Sequence, residues 1–252
     1  MKTSSLFLIL ASLAVSVSGV SAATLLSFSF TSNDQSGGGI QADGSQATAP
    51  SDFNATGIAS STISRGGGAS GQTLYTAQPS AFNTGAFSSS SLATAEANDD
   101  YYQFSLSNIA TASLSTVNYS VYSQNNGGNP QDFSGELYYS LNNFSTAGTD
   151  LGGFTGVSSI GGGGSTYTAN PESADLSGQA DLQDLAADST VTFRFYGYDG
   201  AGFTDQGFGN GGAADVTILG SVESVPEPST CLMLLGGVTF LALGMRFRGK
   251  RA

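Results

Sequence analysis

The sequence predicts an all-β protein, a jelly-roll-like antiparallel sandwich, and three observations lead there. Apolar residues recur at every second position in short runs; Gly, Ser, Thr and Asn crowd the stretches between the runs; and no part of the body carries a long amphipathic helix. Successive side chains of a strand point to opposite faces, so "LLSFSF" places Leu26, Phe28 and Phe30 on one face, and "YYQFSLS" does the same with Tyr102, Phe104 and Leu106. "TVNYSVYS" aligns Val117, Tyr119 and Val121; "ELYYSL" aligns Leu137, Tyr139 and Leu141; "TVTFRFYGY" aligns Val191, Phe193 and Phe195; "ADVTILG" adds Val216 and Ile218. These apolar faces form the predicted core, with Phe28, Phe104, Leu106, Phe193 and Phe195 at its centre. "NNGGNPQD" and "GVSSIGGGGST" suit hairpin ends and longer loops. The stretch from Asn33 to Ser90, with scattered Ile40, Phe53, Ile58, Leu74 and Phe82, predicts long surface loops packed over the sandwich, "GIASSTIS" supplying one strand.

Both ends of the chain are set apart from this body. "MKTSSLFLILASLAVSVSGVSAA" has a cationic start at Lys2, an apolar stretch from Leu6 to Val17 and small residues at Val20, Ala22 and Ala23, the pattern of a secretory signal peptide over residues 1–22. At the other end, no charge falls between Pro228 and Met245, and as a helix this run covers about 27 Å, close to the thickness of a bilayer's hydrocarbon. Arg246, Arg248, Lys250 and Arg251 follow directly. A cluster of guanidinium and ammonium groups is costly to move through hydrocarbon, so these four read as a stop-transfer anchor on the cytoplasmic side. The division is therefore a signal peptide at 1–22, one exported ectodomain at 23–224 and a terminal segment at 225–252, with its transmembrane helix at about 229–245 and its basic tail at 246–251. About two hundred residues between the ends suffice for one sandwich with a sizeable core.

Four of the seven basic residues sit in that tail and one is Lys2, which leaves Arg65 and Arg194 as the body's only cations in a chain with nineteen carboxylates. Nucleic acid is excluded as a partner, because phosphate binding relies on Lys and Arg. The only cysteine, Cys231, lies in the terminal apolar run, so the ectodomain has neither a disulfide nor thiol chemistry and must be held by its core. There is no histidine. That removes the usual general base near neutral pH, the Ser-His-Asp triad and the commonest zinc ligand, and no enzymatic activity is expected. A glycoside hydrolase is the less favoured reading, and candidates for its carboxylate pair are Asp99, Asp100, Glu136, Asp199 and Asp205. "GGGAS" and "GGGGST" lack the Lys-Ser/Thr ending of a phosphate loop and read as linkers.

The order "VPEPST", apolar helix, "RFRGKR" resembles the PEP-CTERM sorting signal of Gram-negative bacteria. The resemblance implies that signal peptidase and then a membrane exosortase act on the chain, with Pro226, Glu227 and Pro228 as the processing motif. It also implies that the inner-membrane-anchored precursor passes to the cell surface or extracellular matrix. The body, in "STISRGGG", "AEANDDYYQFSLS" and "STVTFRFYGYDG", is similar to ectodomains found with that signal. This second likeness implies a β-sandwich and no catalytic residues.

Two binding expectations concern the body itself. Alternation turns Tyr122, Tyr138, Tyr196 and Tyr198 away from the core face, where their rings could stack on the C–H faces of an exopolysaccharide's sugars. The alternative is that this outer face is covered by the long Gly/Ser loops. No cofactor is expected beyond a structural calcium ion, for which "NDD" at Asn98–Asp100, "DLQD" at Asp181–Asp184 and "YDGAGFTDQ" at Tyr198–Gln206 offer oxygen ligands in loops without the EF-hand spacing.

Overall fold

A strand with one apolar face needs a second sheet to cover it, and the computed structural model supplies two. It describes residues 22–30, 48–69, 81–84, 89–125, 133–156, 170–199, 204–209 and 215–223. In chain order these form β1 (Ala23–Phe28), β2 (Thr48–Pro50), β3 (Phe53–Asn54), β4 (Thr62–Arg65), β5 (Ala81–Thr84), the helix α1 (Leu92–Asn98), β6 (Tyr101–Ser107), β7 (Ala112–Asn125), β8 (Phe133–Ser140), β9 (Thr149–Gly156), β10 (Asn170–Asp175), β11 (Thr190–Tyr198), β12 (Thr204–Gly209) and β13 (Val216–Val222). The first sheet runs β3-β1-β13-β7-β12-β5, with β10 also on β7; the second runs β2-β4-β6-β11-β8-β9. All the pairings within them are antiparallel. This is the all-β antiparallel sandwich that the alternation predicts. Of the signal peptide expected at 1–22 all but Ala22, and the whole terminal segment expected at 225–252, lie outside the described residues.

The long strand β7 organises the first sheet. β13 pairs with its Ala112–Tyr119 stretch and β10 with Thr116–Val121, so these two strands hold opposite edges, while β12 takes Val121–Asn125. Between the sheets the inward residues meet as rings. Phe28 lies 5.3 Å from Phe104, Tyr102 lies 5.1 Å from Phe208, and Phe195 lies 5.1 Å from Tyr119 and 4.7 Å from Phe208. All five predicted central residues are buried, as are Val117, Tyr119, Val121, Leu137, Tyr139, Val191, Val216 and Ile218. Offset and edge-on ring contacts of this kind add to the burial of apolar area.

Three details differ from what the sequence predicts. In β1 a register shift between Thr24 and Leu26 lets Leu25 and Leu26 both be buried, which a period of two does not allow. Leu141, predicted to share a face with Leu137 and Tyr139, is 46% exposed. The cause is local: β8 ends at Ser140, whose Oγ accepts from the Asn142 N–H at 3.1 Å and the Phe144 N–H at 3.0 Å and turns the chain before Leu141 can face inward. The Asn33–Ser90 stretch is also more ordered than loops alone. Its described parts contribute β2, β3, β4 and β5, all near sheet edges, with Ile63 and Ile58 in the core. The strand expected from "GIASSTIS" is β4.

Phe195 is 1% exposed and touches rings from both sheets, so Phe195→Ala should lower the stability of the ectodomain by about 3 to 5 kcal/mol in urea denaturation. Leu141→Ala should change it by less than about 0.5 kcal/mol. Equal losses from the two substitutions would contradict the register of β8 and β11.

Candidate functional site

The face of β11 opposite Phe193 and Phe195 carries Arg194, Tyr196 and Tyr198. The antiparallel register sets Arg194 between Gln103 of β6 and Tyr138 of β8, and Tyr196 between Tyr101 and Glu136. Cross-strand neighbours on one face lie close enough to interact, and these do. Arg194 donates from Nε to Gln103 Oε1 at 2.7 Å and from Nη1 to the Tyr196 hydroxyl at 3.2 Å. Its guanidinium carbon is 4.1 Å from the centre of the Tyr101 ring and 4.2 Å from that of Phe144. Contact with two aromatic rings holds the guanidinium in place by cation–π attraction. Tyr196 meets the Tyr101 ring at 5.5 Å and the Tyr138 ring at 5.8 Å, both edge-on.

Two elements rise over this face. The short helix α1 starts at Ser91, whose side chain accepts from the Thr94 N–H, and ends at Asp99 with a left-handed φ of 58°. It packs on β11 and brings Glu96 to the rim. The β8–β9 connection supplies the other wall. Asn143 and Phe144 have φ of 54° and 56°, and Ser145 N–H reaches Asn142 C=O at 3.3 Å, the pattern of a type I′ turn. Asparagine tolerates that region; an aromatic residue there is strained by about 1–2 kcal/mol. The Ser140 hydroxyl secures the turn, and Gly148 leaves room for the ring, since a Cβ there would lie 2.5 Å from Phe144 Cε1. Glu96, Tyr138, Phe144, Arg194, Tyr196 and residues 145–148 line an open pocket of about 320 Å³.

Of the four tyrosines expected on an outer face, Tyr138 and Tyr196 line this pocket. Tyr198 shares their face but lies outside it, its hydroxyl donating to Glu136 Oε1 at 3.4 Å. Tyr122 is on β7, in the other sheet, and its side chain lies outside the described residues. The face is not a bare tyrosine platform: Tyr196 is 5% exposed beneath its neighbours, and the covering layer is α1 and the 141–148 turn. Arg194, Glu96 and Phe144 were not expected in a site. Arg194 had a signal in the sequence, as one of two cations in the body; the strained turn that delivers Phe144 had none.

The local electrostatics follow burial and charge. Burial, then Asp150, Glu96 and Glu136, push the Tyr138 hydroxyl above its ordinary pKa; burial also raises Tyr196, opposed by Arg194. Glu136 is raised by burial and then by Asp150, with the Tyr198 hydrogen bond acting against both. Tyr139, on the inward face, is pushed up to about 12 by burial and by its hydrogen bond to Asp181.

The acidic clusters are occupied with structure. Asp100 is buried and accepts a short hydrogen bond from the Ser89 hydroxyl, which also accepts from Asn98 Nδ2 at 3.1 Å. The "RGGG" run packs against that turn: a Cβ on Gly66 would lie 2.1 Å from the Asp99 carbonyl oxygen, and one on Gly68 would lie 2.3 Å from Asp100 Oδ1. Asp181 accepts from the Tyr139 hydroxyl at 2.6 Å, and Asp184 from the Ser113 hydroxyl at 3.3 Å. Among the described residues no three His, Cys, Asp or Glu side chains gather where one metal ion could bind them. The Asp205 side chain and residues 200–203 lie outside the described residues.

Comparison with known proteins bears on the two regions differently. Residues 224–251 match the family described as the PEP-CTERM protein-sorting motif. The chain carries a PEP-CTERM sorting signal. That motif indicates an exosortase substrate, exported as a membrane-anchored precursor and sorted to the cell surface. Among the described residues no helix is long and apolar enough to cross a membrane, and the 229–245 run lies outside them. No curated protein matches the chain. Among solved structures the ectodomain is similar to TmCBM61 in complex with beta-1,4-galactotriose, at 11% identity and a TM-score of 0.26, over 71% of this chain and 92% of that one.

A carboxyl group whose pKa is raised on folding favours the folded state below its unfolded pKa, and this contribution is lost as pH rises through the folded value. For Glu136 that window opens upward from the ordinary value of 4.5. Glu136→Gln should therefore match wild type in melting temperature at pH 3.5 and exceed it at pH 7. A wild type that is the more stable at pH 7 would mean that the Tyr198 bond outweighs burial. For the sorting signal, intact-mass spectrometry of surface material should find the tail beyond Pro226–Pro228 removed, and Glu227→Ala should leave a full-length membrane-bound precursor. A processed Glu227→Ala protein would show that the motif's carboxylate is dispensable.

Proposed function

We propose that the ectodomain is a non-catalytic carbohydrate-binding module of the cell surface or extracellular matrix, and that its pocket on the outer face of β8 and β11 takes a sugar of the exopolysaccharide. One observation carries this reading: a pocket of about 320 Å³ walled by the Phe144, Tyr138 and Tyr196 rings, with one wall fixed by a strained turn. That volume is in the range of small-ligand sites, and aromatic walls with a few polar groups suit pyranose rings, which offer C–H faces and equatorial hydroxyls. Backbone strain at Phe144 has a purpose if the ring must stand at this wall. A purely structural surface protein would need neither the strain nor the opening.

The absence of histidine and the hydrogen bonds that occupy the Asp100 and Glu136 carboxylates support a binding role over a hydrolytic one. No cofactor is required for stacking and hydrogen bonding. The test is retention of the exported protein on its cell's own exopolysaccharide, with and without calcium. Wild type should be retained, Phe144→Gly should lose most of the retention while keeping a cooperative melt, and no sugar should be released. Retention unchanged by Phe144→Gly would exclude this pocket; sugar release would replace binding by hydrolysis.

A further inference from the structure

Resting on the carbohydrate-binding reading, we infer that the sugar in this pocket is an acidic one, a hexuronic acid whose carboxylate is held by Arg194. The body has two cations, Arg65 and Arg194, in a chain of nineteen carboxylates. In such a surplus of acid, an arginine beside carboxylates would be expected to pair with one. Arg194 forms no ion pair among the described residues, although Glu96 lines the same pocket. Its two hydrogen bonds go to neutral acceptors, the Gln103 amide oxygen and the Tyr196 hydroxyl, and they leave N–H groups on Nη1 and Nη2 without a partner among the described residues.

The same contacts fix the guanidinium. Tyr101 and Phe144 lie 4.1 and 4.2 Å from its carbon, and Nε is tied to Gln103, so an anion would meet a group already oriented. A planar guanidinium binds a carboxylate through parallel N–H groups, which gives both strength and a defined ring orientation. In a hexuronic acid the carboxylate stands at the edge of the ring, so a sugar anchored there can turn its C–H face to Tyr138 or Phe144. Glu96 sets the opposite condition. Its charge disfavours a second anion on the same sugar, which selects a residue with one carboxylate over a heavily sulfated one.

The experiment measures calorimetric affinities of the exported protein for a hexuronic acid trisaccharide, the neutral trisaccharide of the same stereochemistry, and a sulfated trisaccharide. Short ligands keep the long-range repulsion of the acidic body small. The uronic trisaccharide should bind at least tenfold more tightly than either of the others. Arg194→Lys, which keeps the charge and loses the fork, should bring that ratio down several-fold; the exposed Glu96→Gln, with little effect on folding, should raise uronic affinity relative to neutral. Equal or better binding of the neutral sugar would overturn the acidic-sugar inference while leaving carbohydrate binding intact. Preference for the sulfated sugar would overturn the carboxylate in favour of sulfate. Binding of none of the three would overturn both readings.

Discussion

The structure depends on the ring cluster between the sheets. With its only cysteine in the terminal apolar run, the exported body cannot be cross-linked, and two sheets of short strands rich in Gly and Ser have little else to hold them face to face. Phe195 stands at the centre, in contact with Phe104 of its own sheet, Tyr119 and Phe208 of the other, and Phe154 of β9. Once it faces inward, the pleat leaves no choice for its neighbours. Arg194 and Tyr196 must then face outward, and the register with β6 and β8 brings Tyr101, Gln103 and Tyr138 beside them. The pocket is thus a consequence of core packing on the far side of one strand.

This dependence explains what was legible. β6, β8 and β11 bury one face against the opposite sheet, as does β7 from Val117 to Val121, so these stretches carry a period of two and their core residues could be named from it; before Val117 a register shift against β13 breaks the period of β7, and Leu114 is buried three residues ahead of Val117. β1 could not be read this way, because its bulge buries consecutive leucines. Leu141 continued the period of β8 past the point where Ser140 ends the strand, and a hydroxyl that caps a turn is written in no hydrophobic pattern. β2, β3 and β5 are too short to show a period at all.

The site was legible only in its flat part. Tyr138 and Tyr196 follow from alternation, and Tyr122 was grouped with them although β7 lies in the other sheet, because alternation gives a face within a strand and no sheet assignment. The walls come from elements whose placement is tertiary. α1 is seven residues long, too short for an amphipathic pattern, and its seat depends on Gly66 and Gly68 passing close to the Asp99–Asp100 turn. Phe144 reaches Arg194 only because two successive residues adopt left-handed φ, which the sequence "NNFS" does not announce.

The boundary between the fold and the sorting signal has its own logic. β13 pairs with both β1 and β7 and ends at Val222; the Glu223 N–H then donates to Thr111 C=O at 2.8 Å. The match to the sorting motif begins at residue 224. The described sheets therefore take no strand from the motif, and a cut at Pro226–Pro228 leaves β1, β13 and β7 with all their ladder partners. A strand at the centre of a sheet frays less readily than an edge strand, so membrane anchoring of the precursor and its release act on a segment tied to the most firmly held part of the sandwich. The pocket lies in the other sheet, on β8 and β11, and its lining residues, from Glu96 to Tyr196, all precede the motif in the chain.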